Sequence, residues 1–121
     1  MEELCVAVGA VGGALLRHKV NSVSSKRGHA HWATMGINIC GSFVLGFTTA
    51  KTSALAPRQR LLIGTGFCGA FTTFSTFSVD VINMINSGQY ARATVLVLGT
   101  NVISIGAAFV GFRLGGGRFK L

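Results

Sequence analysis

Between Gly64 and Asp80 the chain reads GTGFCGAFTTFSTFSVD, in the middle of an apolar segment. Glycines, hydroxyl side chains and phenylalanines crowd together here, which a helix built only to span a bilayer does not require. In hydrocarbon every backbone N–H and C=O must be paired, so glycine-rich and hydroxyl-rich sequence at membrane depth is tolerated only where it is buried in protein or lines a polar pathway. The stretch is therefore read as the functional centre, and a helix break is expected around Gly69 to Thr73.

The flanking sequence sets this stretch in a membrane. Trp32 to Ala50, Leu61 to Val79 and Ala93 to Phe112 carry no Asp, Glu, Lys or Arg, and each approaches the roughly 20 residues a spanning helix needs. Charged residues are only 12% of the chain, about half the usual share of a soluble domain. A shorter run, Leu4 to Leu16, is read as a fourth spanning helix whose far end carries Arg17. It is not read as a signal peptide, because Glu2 and Glu3 precede it and no basic region does. The expectation is an all-α integral membrane protein: one four-helix domain over 1–121, with helices near 3–23, 32–52, 60–86 and 91–113 and a break in the third.

The net charge of +8 raises nucleic acid as a partner, but the basic residues stand at the ends of the apolar windows, where lipid headgroups are the natural partner. Cys5, Cys40 and Cys68 lack metal-ligand spacing and are read as buried thiols. His18, His29 and His31 have no nearby ligand set and are read as solvated or facing headgroups.

Along the first helix Gly9 and Gly13 form a GxxxG pair, which lets two helix backbones approach closely. In the second, Thr34, Asn38 and Ser42 recur every four residues and so share one face. Asn38 is the costly member, since lipid supplies none of its amide's partners; interhelical glue and a pore-facing donor both fit. Pro57 lies in a short basic connector. Gly64, Gly66 and Gly69 spell GxGxxG, but without the preceding strand of a dinucleotide site. Thr72, Thr73, Ser75 and Thr76 follow, able to bond freed backbone groups or a ligand.

Phe74 and Phe77 share a face if helical geometry resumes after the break. Ring edges are positive, so edges turned to a small anion attract it weakly, as conduction requires. Asp80 lies one turn on, and at mid-membrane would cost about 2.5 to 3.5 kcal/mol; it is near an interface or functional. Thr100 and Ser104 make a one-sided polar strip in the last helix, and the basic, glycine-rich tail from Arg113 is read as mobile.

With four spans, Lys51, Arg58, Arg60, Arg113, Arg118 and Lys120 fall on one side and Arg17, Lys19, Lys26, Arg27 and Arg92 on the other, a near-even split of 11 basic residues. So even a split hardly chooses an orientation. Copies inserted in both directions can pair as an antiparallel dimer, and 121 residues are few for enclosing a pore alone.

GFCGAFTTFSTFSVD, together with GALLR near the end of the first helix and GINICGSFVLG in the second, closely resembles the Fluc (CrcB) fluoride channels. The resemblance implies a dual-topology antiparallel homodimer in the cytoplasmic membrane with two pores that export fluoride passively, and a structural Na+ at the dimer centre. By motif position, Asn38 is similar to the pore asparagine, and Phe74 and Phe77 to the paired aromatic box. Ser75, Thr76, Thr100 and Ser104 correspond to the hydroxyl track, and Arg17 to the basic vestibule residue. Gly69 and Thr72 correspond to the break whose carbonyls hold sodium. Asp80 falls where many members carry glutamate, the carboxylate of a possible gating or proton-linked role, and Leu96 where some carry tyrosine.

Two rival readings remain at this level. A proton-coupled small multidrug or anion exporter shares the dual-topology four-helix dimer, but needs a carboxylate deep in an early helix, and Glu2 and Glu3 lie too near the terminus. A non-transporting membrane scaffold would use the polar strips as helix glue. No nucleophile, base and orienting group assemble at recognisable spacing, so no enzyme is read here.

Overall fold

The computed structural model describes residues 1–120. Helix α1 runs Glu2–Lys26, α2 Ala30–Ala50, and a short α3 Pro57–Arg60 leads into a π-helical segment, Leu61–Cys68. The chain continues through α4, Gly69–Phe71, α5, Phe74–Asn86, and α6, Tyr90–Leu114. Three stretches are long and apolar enough to cross a membrane: Ala30–Ala50, Pro57–Asn86 and Tyr90–Leu114. At 25 residues and about 1.5 Å per residue, α1 has the length but not the apolar composition of the other three.

The turns follow local chemistry. α1 continues past the polar connector expected to begin at Asn21, because nothing breaks it before Gly28, whose φ of 74° ends the helix. Gly88, at φ 72°, does the same between α5 and α6. Pro57 sits at the first turn of α3, where its missing N–H costs nothing, and Gln59 Oε1 accepts from the Ala56 N–H at 2.9 Å.

Two backbone-to-backbone contacts set the helix packing. A Cβ on Gly9 would run into the Leu62 carbonyl, one on Gly13 into the Phe67 carbonyl, and one on Gly66 into the Val6 carbonyl. The GxxxG face of α1 therefore lies against the π-helical segment. On the other side α2 and α6 form the most extensive helix pair, with Gly46 against the Ala108 carbonyl and Gly111 against the Phe43 carbonyl. Such close approach is what holds helices together where lipid offers no hydrophobic drive.

The π-helical segment, in which the Gly69 N–H reaches back to the Gly64 carbonyl, is a feature the apolar pattern does not signal. π-turns of this kind recur at functional sites. The tail also differs from its expected mobility: Phe119 folds back onto α6, its ring centroid 5.2 Å from Phe109 and 5.0 Å from Phe112.

Candidate functional site

The helix stops at Thr72 and Thr73, which are extended at φ −78°, ψ 157° and φ −153°, ψ 122°. An unwound step inside a membrane frees backbone groups that must find partners. Here side chains from two other helices supply them. Asn38 Nδ2 on α2 donates to the Thr73 carbonyl at 3.0 Å, and the Thr73 N–H donates to Asn38 Oδ1 at 2.8 Å. Arg17 Nη1 on α1 donates to the Thr72 carbonyl at 3.2 Å. The Thr72 N–H and hydroxyl both donate to the Cys68 carbonyl, at 3.0 and 2.9 Å. Because the Thr73 N–H is committed to Asn38, the Gly69 carbonyl loses the i+4 donor it would have in an unbroken helix.

Beyond the break, Thr73 caps α5: its Oγ1 accepts from the Thr76 N–H at 3.2 Å and bonds Thr76 Oγ1 at 3.1 Å and Ser75 Oγ at 3.3 Å. The positive end of the α5 dipole thus points back at the break. Thr73 is the residue the sequence reading underrated. Its cap follows from a Thr placed three residues before Thr76, at the start of a renewed apolar period.

Next to the clamp lies a cavity of about 250 Å³ lined by Asn38, Ser42, Thr72, Thr73, Phe74, Thr100, Asn101 and Ser104, with Gly41, Leu45 and Ile105. Hydroxyls on these helices ordinarily turn back to the i−4 carbonyl, as Thr34, Thr48, Thr49 and Thr94 do. Thr100 Oγ1 and Ser104 Oγ do not: both are buried and have no hydrogen-bond partner. An unpaired buried polar atom costs free energy unless something else meets it. Each hydroxyl keeps a donor hydrogen, and the Asn38 amide keeps one N–H beyond its bond to Thr73.

The expected site residues are not all gathered here. Asn38, Phe74, Thr100 and Ser104 line the one cavity, and Thr72 borders it. Phe74 and Phe77 form a tilted pair, centroids 5.5 Å apart at 49°, yet their surroundings differ. Phe77 is 5% exposed and packs in a core cluster with Met84, Ala93 and Leu96, whereas Phe74 is 74% exposed. Leu96, fully buried, therefore meets the Phe77 side of the pair. Ser75 and Thr76 are exposed and tied to Thr73. Gly69 opens on a second groove, shared with Thr72, on the far side of the break.

Asp80 has a partner that spacing did not suggest. His31 Nδ1, at the start of α2, lies 3.2 Å from Asp80 Oδ1, so His31 is not merely solvated. Asp80 is only 13% exposed, and neither its Oδ2 nor His31 Nδ1 makes a hydrogen bond, so the two groups meet as close neighbours and not as a hydrogen-bonded pair. The pair joins the first turn of α2 to the middle of α5.

Residues 4–112 match the model of the family described as CrcB-like protein, Camphor Resistance (CrcB). The chain is 42% identical over 116 residues to a protein of Synechococcus sp. (strain CC9902) named Fluoride-specific ion channel FluC 2, covering 94% of this chain and 79% of the relative. It is 40% identical over 120 residues to the Fluoride-specific ion channel FluC of Hydrogenobaculum sp. (strain Y04AAS1), covering 96% and 98%. It is also 37% identical over 118 residues to a FluC 2 protein of Bacillus thuringiensis subsp. konkukian (strain 97-27), covering 96% and 98%. The chain belongs to the CrcB-like family.

Proposed function

We propose that this member of the CrcB-like family is a fluoride-selective channel, a multi-pass membrane protein and not an enzyme, that lets fluoride leave the cell passively through the cytoplasmic membrane. The observation that carries the reading is the pair of buried, unpartnered hydroxyls on Thr100 and Ser104, facing the same cavity as Asn38 and Phe74. Fluoride is small and strongly hydrated, so a pathway must replace its water with several donors. These hydroxyls and the remaining Asn38 N–H are such donors. The exposed Phe74 ring edge adds weak attraction, and the α5 N-terminus adds a favourable field. None of these is a full charge inside the cavity, so binding stays weak enough for release.

The finer assembly belongs to the same proposal. α1 is the fourth span, and the whole chain is one four-helix membrane domain. Two copies inserted in opposite directions form a homodimer with two pores, a geometry the near-even split of basic residues permits. A second copy would also cover Phe74, whose ring is 74% exposed on its own chain. Ser75 and Thr76 continue the hydroxyl track, Phe77 completes the aromatic pair, and Arg17 serves the vestibule while holding the break. Asp80, held by His31, is placed to influence gating.

The break also fits a resident Na+. The Gly69 carbonyl lacks its helical donor, and the Thr72 carbonyl keeps a second lone pair beside Arg17. Carbonyl oxygens are the ligand type such hard cations take, and the ion would supply fixed positive charge where the two break segments of a dimer meet.

The test is fluoride efflux from liposomes holding the purified protein, read with a fluoride electrode and repeated with chloride. A selective channel releases fluoride quickly only when a potassium ionophore relieves the charge, and releases no chloride. Efflux without the ionophore, coupled to protons, would favour the exporter reading. Silence from assembled protein would favour the scaffold.

A further inference from the structure

Ser42 has no task in the site described so far. It follows Asn38 by about one turn of α2, is half-buried, and lines the same cavity as Thr100 and Ser104. Serine and threonine hydroxyls inside a helix often bond back to the carbonyl four residues earlier. Thr34 does so to Ala30 at 3.3 Å, and Thr49 to Leu45 at 2.7 Å. Side-chain hydrogen bonds on α2 are made by Thr34, Asn38, Thr48 and Thr49; among the described residues Ser42 makes none. Its O–H is left for whatever fills the cavity.

The packing of α2 on α6 gives Ser42 a place in a series. The two helices run in the same direction: the Met35 side chain lies against Gly99, Ala108 against Gly46, and Ala50 against Gly115. Counted from Gly99, Thr100 stands level with Gly36 and Ser104 with Cys40. The cavity-facing groups therefore come in the order Thr100, Asn38, Ser104, Ser42, alternating between α6 and α2. Neighbours are about two residues apart along the axis, or about 3 Å at helical rise. A small ion moving by such steps meets the next donor as it leaves the last. Ser42 closes the series. It also borders the groove beyond, which encloses about 460 Å³ and is walled by Leu45, Ile105, Ala108, Phe109 and Phe112. The other hydroxyl in that lining, Thr49, is spent on Leu45.

We infer that Ser42 is the terminal donor of the fluoride path on this side, the residue at which the ion exchanges protein hydroxyls for water. This rests on the channel reading above. An anion leaving Ser104 without a further donor would face an apolar wall while still stripped of water, and an unpaired charge in such surroundings is costly. The Ser42 O–H lowers that step. As a single neutral hydroxyl it also holds the ion weakly enough for release. The structural alternative is that Ser42 bonds the second copy of the chain and serves only assembly.

Removing and restoring the hydroxyl at this one position separates the two. Initial fluoride efflux is measured from liposomes holding the wild type, Ser42→Ala or Ser42→Thr, alongside thermal denaturation in detergent and the oligomeric state by cross-linking. The expected result is that Ser42→Ala slows efflux on the order of tenfold, as the loss of one hydrogen bond to a charged species predicts. Its melting temperature and its cross-linked state stay at wild-type levels. Ser42→Thr, which keeps the O–H, conducts faster than Ser42→Ala. Wild-type efflux from Ser42→Ala would overturn the inference, as would a Ser42→Thr no faster than Ser42→Ala, or an efflux loss in Ser42→Ala that tracks loss of the cross-linked dimer. A silent wild type would instead overturn the channel reading itself.

Discussion

Asn38 and Thr73 are joined twice: the amide nitrogen donates to the Thr73 carbonyl at 3.0 Å while the amide oxygen accepts from the Thr73 N–H at 2.8 Å. This two-bond ring fixes the amide's orientation, since a backbone N–H can only donate and a carbonyl can only accept. The side chain glues α2 to the break, one of the two readings its sequence left open, and it also lines the cavity it shares with Thr100 and Ser104.

Asn38→Ala should therefore fail twice. Two buried backbone groups at Thr73 lose their partners, each loss worth about 1 to 3 kcal/mol, so thermal denaturation in detergent should shift downward. Fluoride efflux should fall in the protein that still assembles. Asn38→Asp keeps the acceptor for the Thr73 N–H but opposes an oxygen to the Thr73 carbonyl. Its destabilisation should be intermediate, with efflux lost as fully as in the alanine variant.

Phe74 and Phe77 should separate stability from conduction. Phe77 fills the cluster with Met84, Ala93 and Leu96, so Phe77→Ala leaves a core cavity and should cost about 3 to 5 kcal/mol. Phe74 is 74% exposed on its own chain, so Phe74→Ala should leave the melting of the chain's own fold near wild type while lowering efflux. If the two variants melted alike, the difference in their surroundings would have no energetic consequence.

Thr100→Val tests the free hydroxyl most directly. Valine has threonine's shape, and Thr100 Oγ1 has no protein partner to strand, so stability should hold or rise slightly. A hydrogen bond to a charged species is worth about 1.5 to 3 kcal/mol, so losing one donor along the path should slow fluoride efflux about tenfold or more. The combination of equal melting temperature and slower efflux is the signature; a lower melting temperature would mean that Thr100 is structural.

Much of this arrangement was legible in the sequence. Charge-free windows gave three apolar spans, and the run of glycine, threonine and serine placed the break within a residue or two of Thr72 and Thr73, because lipid forbids that mixture unless the backbone is partnered. The partners themselves were harder to see. Arg17 on Thr72, Asn38 on Thr73 and His31 against Asp80 are contacts between separate helices, and helical spacing reports only which residues share a face of one helix. The π-helical segment was hidden for another reason: widening a turn leaves the apolar pattern of Leu61–Cys68 almost unchanged over so few residues. Phe74 and Phe77 shared the expected face, but their unequal burial depends on α6 covering one and not the other.

The His31–Asp80 contact should register as a coupling energy and not as two independent losses. His31 is 38% exposed and Asp80 13%, so solvent screens the pair and a coupling of about 1 kcal/mol or less is expected from the double-mutant cycle of His31→Ala and Asp80→Ala. Additive losses would show the two groups to be neighbours without an interaction.

The contact of α1 with the π-helical segment links packing to the site. A Cβ at Gly13 would meet the Phe67 carbonyl and, at 2.9 Å, the Phe71 backbone nitrogen, neither of which can move without shifting the segment that ends in the break. In Gly13→Ala, α1 must back away, and Arg17, one turn further along the same helix, is drawn from the Thr72 carbonyl. Overpacking of this kind costs about 1 to 3 kcal/mol, and here the loss of the Arg17 bond adds to it. Gly106 is the control: a Cβ there meets nothing within 4 Å, and alanine is the better helix former by roughly 0.5 to 1 kcal/mol. Gly106→Ala should melt at or above the wild-type temperature, and Gly13→Ala below it with reduced efflux. Equal behaviour of the two would mean that α1 does not hold the break through its glycine face.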